Sequence, residues 1–245
     1  MRLKLLQWNV WYKENAENIL KFIGQIDADV VCLQELTQDS STNPKIDIPA
    51  LIGELGYESH YFQTLTEKNC TMGNAIFSKH PLTNKSIIYT HRGKDLPSYD
   101  ASYADEPRAY LEADIHVANR ILHVGSVHLS YCHAFKPSPQ RQQENDTFVK
   151  AVSRHDQSLI FSGDFNAVPE NELIQSLNKQ FKHAGPDFSE KTWTTKPFSY
   201  DGFDTNTLDW RLDYVFCTRD IKILSSRIIP TDFSDHLPIL VEFEI

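Results

Sequence analysis

The 245-residue sequence has few cysteines, no long apolar run and no excess of positive charge. Its four cysteines are widely scattered and form no C-x-x-C pair, so no disulfide framework is indicated and a reducing, cytoplasmic setting is predicted. No stretch approaches the ~20 uninterrupted apolar residues of a spanning helix, and the first residues lack a secretion signal. The sequence therefore predicts a soluble cytoplasmic protein without a membrane span.

The charge balance limits the partners of the chain. Lys and Arg number 24 against 33 Asp and Glu, which gives a net charge of −9, the wrong sign for a protein that holds nucleic acid by a broad basic surface. A local positive site or a bound metal can still capture phosphate. With 40% hydrophobic residues, no repeat and no Gly/Ser linker, the chain is predicted to fold as a single domain over residues 1–245 and is taken as a monomer by default.

Short apolar segments predict a fold that alternates strands and helices. Residues 3–10 and 29–34 are typical of buried strands, and an apolar stripe over 14–26 predicts a helix between them. The pair Asn119-Arg120 joins two strand-like runs as a tight hairpin, which requires antiparallel pairing. Further strands are predicted at 57–63, 74–78, 85–91, 108–117, 120–128, 158–162, 213–217, 221–229 and 238–244, and helices at 48–55, 139–154 and 169–178. A two-sheet α/β sandwich fits this order best.

Polar residues occur where these predicted strands end, the position at which ligand sites of layered α/β proteins collect. Alone, each also fits an ordinary role: an Asn or Asp often caps a turn, and a His is often a hydrogen-bonded structural residue. The set as a whole indicates a site, and it comprises Asn9, Glu35, His128, Asp164, Asn166, Asp213, Asp235 and His236.

The segment Gly-Asp-Phe-Asn is the sharpest of these signals. Asp164 and Asn166 lie two residues apart after a strand, so they can point to one face as an anionic acceptor beside an amide donor. Phosphate-ester hydrolysis needs a hard cation, a positioned water and donors to the phosphate oxygens. Glu35 is the predicted principal ligand of a Mg²⁺ ion, with Asn9 and Asp235 nearby. His236 is predicted as general base or as a phosphate-facing imidazolium, oriented by Asp213.

These residues, in this order, resemble the endonuclease/exonuclease/phosphatase superfamily, which has the deoxyribonuclease-I-like fold. The motifs are QWNV with Asn9, LQE with Glu35, PRAYLEADI with Arg108, VHL with His128, GDFN with Asp164 and Asn166, RLDYVF with Asp213, and SDHLP with Asp235 and His236. The resemblance implies a four-layer α/β/β/α sandwich with two mostly antiparallel mixed sheets, and a phosphoesterase site dependent on Mg²⁺ or Mn²⁺.

The resemblance also implies a role for each residue. Glu35 looks like the metal ligand, and Asp164 like the carboxylate that orients water. The other roles are as follows: Asn9 as a metal or phosphate contact, Asn166 and His128 as donors to phosphate, Asp213 and His236 as an Asp-His pair, Asp235 as a further metal contact, and Arg108 as a supporting arginine that binds phosphate. The chain departs from abasic-site endonucleases, because Trp11 replaces an acidic residue and His128 replaces a tyrosine. Abasic-site repair is therefore not predicted.

Substrate choice is expected to lie in two long segments, roughly 91–107 and 129–141. They contain rings that can stack on a base and cations that can meet phosphate, namely Tyr99, Tyr103, Tyr131 and Phe135, and Arg92, Lys94, His133, Lys136 and Arg141. Ordinary solvated loops are the alternative. Trp11 either lines the cleft or packs in the interior. A phosphate ester of nucleic acid is the first substrate predicted, a small-molecule, inositol-phosphate or phospholipid head group the second, and a non-catalytic phosphate-binding module the rival.

Overall fold

Fifteen strands and four helices make up the part of the chain that this computed structural model describes, residues 1–39, 45–67, 70–93, 106–136 and 138–245. The helices are α1 (Ala16–Ile26), α2 (Ile48–Glu54), α3 (Pro139–Val152) and α4 (Glu172–Gln180), and a short 3-10 turn covers His133–Phe135. The strands, in chain order, are β1 (Arg2–Asn9), β2 (Val30–Asp39), β3 (Ile46–Asp47), β4 (Glu58–Glu67), β5 (Cys70–Ser78), β6 (Leu82–His91), β7 (Arg108–Val117), β8 (Arg120–His128), β9 (Leu159–Asp164), β10 (Lys182–His183), β11 (Phe198–Tyr200), β12 (Phe203–Thr205), β13 (Asp213–Cys217), β14 (Lys222–Ile228) and β15 (Ile239–Glu244).

Two large mixed sheets contain most of these strands. The first has the order β14-β15-β1-β2-β5-β4, with β3 added to β2, and the second has the order β10-β13-β9-β8-β7-β6. Only β1 with β2 and β8 with β9 pair in parallel among the described strands; the other pairs are antiparallel. The predicted α/β fold with two mostly antiparallel mixed sheets is confirmed.

Three apolar clusters hold the layers together. One fills the space between the two sheets, where Leu5 and Val30 meet Val124 and Ile160. The second packs α1 and α2 on the outside of the first sheet, and the third packs α3 and α4 on the outside of the second. Both faces of the central strands are therefore buried, which explains why they read as continuous apolar runs rather than as alternating patterns.

The turn between β7 and β8 differs by one residue from the prediction. The two-residue loop is Ala118-Asn119, and Arg120 already pairs with Val117. Ala118 has φ 53°, the left-handed conformation that tight hairpins require, so the chain turns before Asn119 rather than after it. Among the described residues no helix is both long and apolar enough to cross a membrane.

Gly163, in β9, leaves no room for a side chain. A Cβ there would overlap the carbonyl oxygen of Val127 in the parallel neighbour β8 and would lie 2.8 Å from its carbonyl carbon. We expect Gly163→Ala to lower the free energy of unfolding by about 2 kcal/mol or more, because backbone of a central strand must move. Gly24→Ala on the exposed surface of α1 is the control, since nothing lies within 4 Å of its Cβ. The control is expected to stabilise by about 0.5–1 kcal/mol, and equal effects in urea denaturation would contradict the prediction.

Candidate active site

The inner faces of the central strands change from apolar to polar towards one end of the sandwich. Every second residue faces inwards, so along each strand a core residue is followed by a buried polar residue and then by a residue of the site. The three positions are Leu5, Gln7 and Asn9 in β1, Val124, Ser126 and His128 in β8, and Ile160, Ser162 and Asp164 in β9. The parallel pairs place the carboxyl ends of β1 and β2, and of β8 and β9, at the same edge.

A cleft of about 290 Å³ opens at this edge. Seven of the nine residues predicted for the site line it, and the other two, Asn9 and Asp213, lie buried beneath it and hydrogen-bond to lining residues. The seven are Glu35, Arg108, His128, Asp164, Asn166, Asp235 and His236. The structure thus brings together groups from the first strand to the last.

Asp164 is the point on which these groups converge. Its Oδ2 accepts a hydrogen bond from Asn9 Nδ2 at 3.1 Å and lies 3.5 Å from His128 Nε2 and 3.7 Å from His236 Nε2. Its Oδ1 accepts from the backbone N–H of Asn166 at 2.9 Å, so the carboxylate is held at both oxygens. Burial is the largest cause that raises the pKa of Asp164, to about 6, and hydrogen bonds and the charge of His236 limit the rise.

His236 is paired with Asp213. Its Nδ1 lies 2.8 Å from Asp213 Oδ2, and the ring is 5% exposed. Burial by itself lowers the pKa of His236, but the charges of Asp213, Asp164 and Asp235 more than offset burial and raise the pKa to about 10. The imidazole therefore carries a proton on both nitrogens at neutral pH, and Nε2 points its proton towards Asp164 and the cleft.

His128 has the opposite charge state because of Arg108. Arg108 Nη1 lies 3.1 Å from His128 Nδ1, and since a guanidinium only donates, Nδ1 accepts and the proton of the neutral ring sits on Nε2. Burial and the positive charge of Arg108 lower the pKa of His128 well below its usual value. Arg108 also forms an ion pair with Glu106 at 3.0 Å, and its buried Nε has no hydrogen-bond partner in the described chain.

The sequence pattern predicts Glu35 at the end of its strand, and this prediction is wrong: Glu35 lies inside β2, at a bulge. The pairing of β2 with β5 shifts register between Leu33 and Leu36, and Glu35 has φ 60°. The bulge turns the side chain into the cleft, where Oε1 accepts from Asn9 Nδ2 at 3.0 Å and Oε2 accepts from the N–H of Tyr12 at 3.2 Å. Removal from water and the charge of Asp235 raise the pKa of Glu35 to about 7.

Asp235 lies in the loop before β15 and is held by a residue that the sequence reasoning missed. Trp193 Nε1 donates to Asp235 Oδ2 at 3.1 Å, and burial raises the pKa of this carboxyl. Ser234, also missed, ties the loop to the first strand, since its hydroxyl donates to the carbonyl of Asn9 at 2.7 Å and accepts the N–H of His236 at 3.0 Å. No sequence motif marks Trp193, because its partner is 42 residues away.

Arg141 does not meet phosphate, contrary to the prediction. It is 4% exposed, its guanidinium donates to the backbone carbonyls of Ser130 and Phe165, and Nε donates to Asn145 at 2.9 Å. It therefore clamps together the segments that follow β8 and β9 and fixes the ends that carry His128 and Asp164. Of the predicted rings, Tyr131 and Phe135 line the cleft, and so does Trp11. Lys94, Tyr99 and Tyr103 lie outside the described residues.

Two sets of groups are candidates to hold a metal ion. Asp164, Asp213 and His236 each offer an atom, all within 4.8 Å of one another, but the hydrogen bond between His236 and Asp213 already satisfies two of them. Glu35 and Asp235 fit a divalent cation better. The charge of Asp235 raises the pKa of the buried Glu35, and neither carboxylate forms an ion pair with a Lys, Arg or His side chain in the described ranges. Hard carboxylate oxygens are the ligands that Mg²⁺ and Mn²⁺ prefer.

Comparisons with known proteins agree with this geometry. The chain is 26% identical over 253 residues to the UPF0294 protein plu0699 of Photorhabdus laumondii, covering 98% of this chain and 83% of that protein. An endonuclease/exonuclease/phosphatase from Beutenbergia cavernae superposes with a TM-score of 0.75 at 18% identity, covering 100% of this chain and 72% of that one. D. rerio TDP2 complexed with a single-strand DNA product superposes with a TM-score of 0.71 at 16% identity, covering 100% and 99%.

The structural likenesses establish the fold, and a match at the level of sequence establishes the family. The pattern of the Endonuclease/Exonuclease/phosphatase family matches residues 6–236, a range that includes all nine residues of the predicted site. The chain therefore belongs to the endonuclease/exonuclease/phosphatase family, most of whose members are hydrolases that act on phosphate esters.

Proposed function

We propose that this protein is a metal-dependent phosphoesterase that hydrolyses phosphodiester or phosphomonoester bonds by in-line attack of an activated water. The observation that carries the proposal is the convergence on Asp164 Oδ2 of Asn9, His128 and His236, three side chains from distant parts of the sequence. A carboxylate whose pKa is raised to about 6 is suited to take a proton near neutral pH. It stands beside two imidazole N–H donors, which can stabilise the charge that develops on the phosphoryl oxygens in the transition state.

Each residue has a distinct part in the proposed reaction. Asp164 orients the attacking water and accepts its proton. His128 and His236 donate from Nε2 to the phosphoryl oxygens, the first as a neutral ring and the second as an imidazolium held by Asp213. Asn166 lines the cleft as a further amide donor, and Arg108 supplies positive charge. No covalent enzyme intermediate is expected, because Asp164 is proposed to act as a base on the attacking water rather than as a nucleophile on phosphorus.

A Mg²⁺ or Mn²⁺ ion would be held by Glu35 and Asp235, with Asn9 beside them. Such an ion, when bound, neutralises charge on the phosphate oxygens and on the leaving oxygen. Asn9 Nδ2 bridges Glu35 Oε1 and Asp164 Oδ2, so it keeps the ligand and the water-orienting carboxylate at a fixed separation. The same residue thus links the metal contact to the reacting centre.

Nucleic acid is the leading substrate class within this proposal. TDP2, whose fold this chain shares, was crystallised with a single-strand DNA product. The net charge of −9 favours the second class, small-molecule or head-group phosphoesters, since it disfavours tracking along a long phosphate backbone. A substrate that engages few phosphates is compatible with both observations.

The proposal is tested with a 4-nitrophenyl phosphodiester and with single-stranded DNA, duplex DNA, RNA and inositol phosphate as substrates. We expect hydrolysis in Mg²⁺ or Mn²⁺ that stops when a chelator is added and returns when the metal is restored, because charge on the phosphate must be neutralised. Unchanged turnover in the chelator would contradict the role of a metal. Binding of phosphate without turnover of any substrate, with any metal, would favour a non-catalytic module.

A further inference from the structure

Six aromatic side chains pack into a wall beside the cleft, and four of them line it. They come from the segment after β8 and from the chain between β10 and β13, which adds the hairpin β11–β12 outside both large sheets. Ring centroids lie 5.0 Å apart for Trp193 and Phe198, 5.7 Å for Phe135 and Trp193, and 6.0 Å for Tyr131 and Phe198. The aromatic wall consists of Tyr131, Phe135, Trp193, Phe198, Phe203 and Trp210.

The aromatic wall reaches the reacting groups. The ring of Trp193 lies 6.2 Å from the ring of His236, and its Nε1 donates to Asp235. Four of its members line the same cleft as Asp164 and the two histidines, namely Tyr131, Phe135, Trp193 and Phe198. A group attached to a phosphate in that cleft would therefore lie against these rings.

The rings of the wall differ in exposure. Phe135 and Trp193 are 6% and 4% exposed, whereas Tyr131 and Phe198 are half-buried. Phe135 packs against Tyr131 and Trp193 packs against Phe198, with ring centroids 5.8 Å and 5.0 Å apart, and the half-buried pair has the larger exposed fraction of the four rings that line the cleft. Apolar surface held open inside a cleft is typical of a surface that a ligand covers.

The other rim of the cleft adds rings and cations. Trp11 and Tyr12 follow β1 of the first sheet, and Trp11 is held at φ 61°, a left-handed conformation that residues other than glycine seldom adopt. Asn9 Oδ1 accepts the N–H of Trp11 at 3.1 Å and so fixes this turn. Lys13 lies 5.5 Å from the Trp11 ring, and both Lys13 and Lys196 line the cleft. Rings with nearby cations fit a planar group that carries phosphate.

We propose that Phe198, with the Tyr131 ring edge-on beside it at an interplanar angle of 61°, forms a stacking platform for an unpaired nucleobase next to the phosphate, an inference that rests on the proposed function. Bases present flat faces that stack on aromatic rings irrespective of sequence, whereas an inositol has no such face. A cleft of about 290 Å³ accommodates a single nucleotide, and the negative net charge disfavours a duplex lying across it. The substrate class is thus a mononucleotide ester or single-stranded nucleic acid.

The platform is tested by calorimetric binding of thymidine 5′-phosphate and of deoxyribose 5-phosphate in Mg²⁺, two ligands that share the sugar phosphate and differ in whether C1′ carries a base or a hydroxyl. The nucleotide is expected to bind about 10-fold more tightly, the effect of one stacked base. Phe198→Ala should reduce the difference to within about twofold, and Phe198→Tyr, which keeps a ring, should preserve it.

Phe203→Ala is the matched control, because Phe203 packs against Phe198 with ring centroids 6.2 Å apart but does not line the cleft. It should lose thermal stability and keep the discrimination. Three results would overturn the platform. They are equal affinity for the two ligands, inositol phosphate binding as tightly as the nucleotide, and a loss of discrimination in Phe203→Ala as large as that in Phe198→Ala. The binding measurement does not depend on turnover. A protein that prefers the nucleotide but hydrolyses no phosphate ester would contradict only the proposed function. A protein that hydrolyses phosphate esters but binds both ligands equally would contradict only the platform.

Discussion

Replacing Asp164 by asparagine is expected to lower kcat/KM for a phosphodiester by about 10²–10⁴-fold, the usual effect of removing a positioned general base. The change keeps the shape of the side chain but removes its charge and its ability to accept a proton. Asn9 Nδ2 and the N–H of Asn166, which now donate to the carboxylate, would meet an amide with only one acceptor oxygen. The measurement is steady-state hydrolysis of the 4-nitrophenyl phosphodiester at saturating metal.

Asp114→Asn supplies the matched control. Asp114 is also buried and also paired with a histidine, His123, at 2.6 Å, but it lies on β7 away from the cleft. Its replacement is expected to leave kcat unchanged. Because the folded protein raises the pKa of Asp164, the ionised form costs stability; Asp164→Asn removes that cost and loses one hydrogen bond, so it should melt close to the wild-type temperature. Full activity of Asp164→Asn would refute the proposed role.

Much of the fold was predictable because the central elements bury long, regular patterns. Helix α1 was expected over 14–26 and begins at Ala16, since the side chain of Asn15 caps it by accepting the N–H of Glu17 at 2.7 Å. The hairpin β11–β12 was not predicted, because its strands have three residues each and are too short to show a period. The short strand β10 was missed for the same reason.

The bulge in β2 explains why the sequence pattern predicts a strand end at Glu35. Leu33 and Leu36 both pack against the helices although they are three residues apart, an odd spacing that breaks the two-residue period of a regular strand. In a sequence such a break looks like the end of the strand. The residues of the site are thus identifiable from their order along the chain. That they meet at Asp164 Oδ2 is not, because the contacts are distant in sequence: Asn9 is 155 residues from Asp164, and no local pattern encodes such a contact.

The carboxylates of the site make the folded protein less stable than it would be without them. Glu35, Asp164 and Asp235 all have raised pKa values, chiefly through burial. A carboxyl whose pKa is higher in the folded than in the unfolded state loses stability as the pH rises from the ordinary value, 4.5 for Glu35, through the folded value of about 7. At neutral pH the site therefore carries negative charge that a bound cation would compensate. Such a site is maintained for chemistry rather than for folding.

Glu35→Gln is expected to remove both metal binding and activity, and its test does not depend on turnover alone. Wild-type protein should gain about 2.7 kcal/mol of stability from Mg²⁺ at 100 times the dissociation constant, a rise of several degrees in Tm, because the ion binds only the folded site. Glu35→Gln should show no such rise at the same concentration and should lose at least about 10² in kcat/KM, since one of the two carboxylate ligands is gone. Without metal it should melt no lower than the wild type, because the repulsion from Asp235 is removed.

Glu112→Gln is the control, because Glu112 is a buried glutamate that is hydrogen-bonded to His155 at 3.0 Å and lies outside the cleft. If Glu35→Gln keeps the Mg²⁺-dependent rise in Tm and Glu112→Gln also keeps it, the ion is bound elsewhere, and the proposed metal site at Glu35 is refuted.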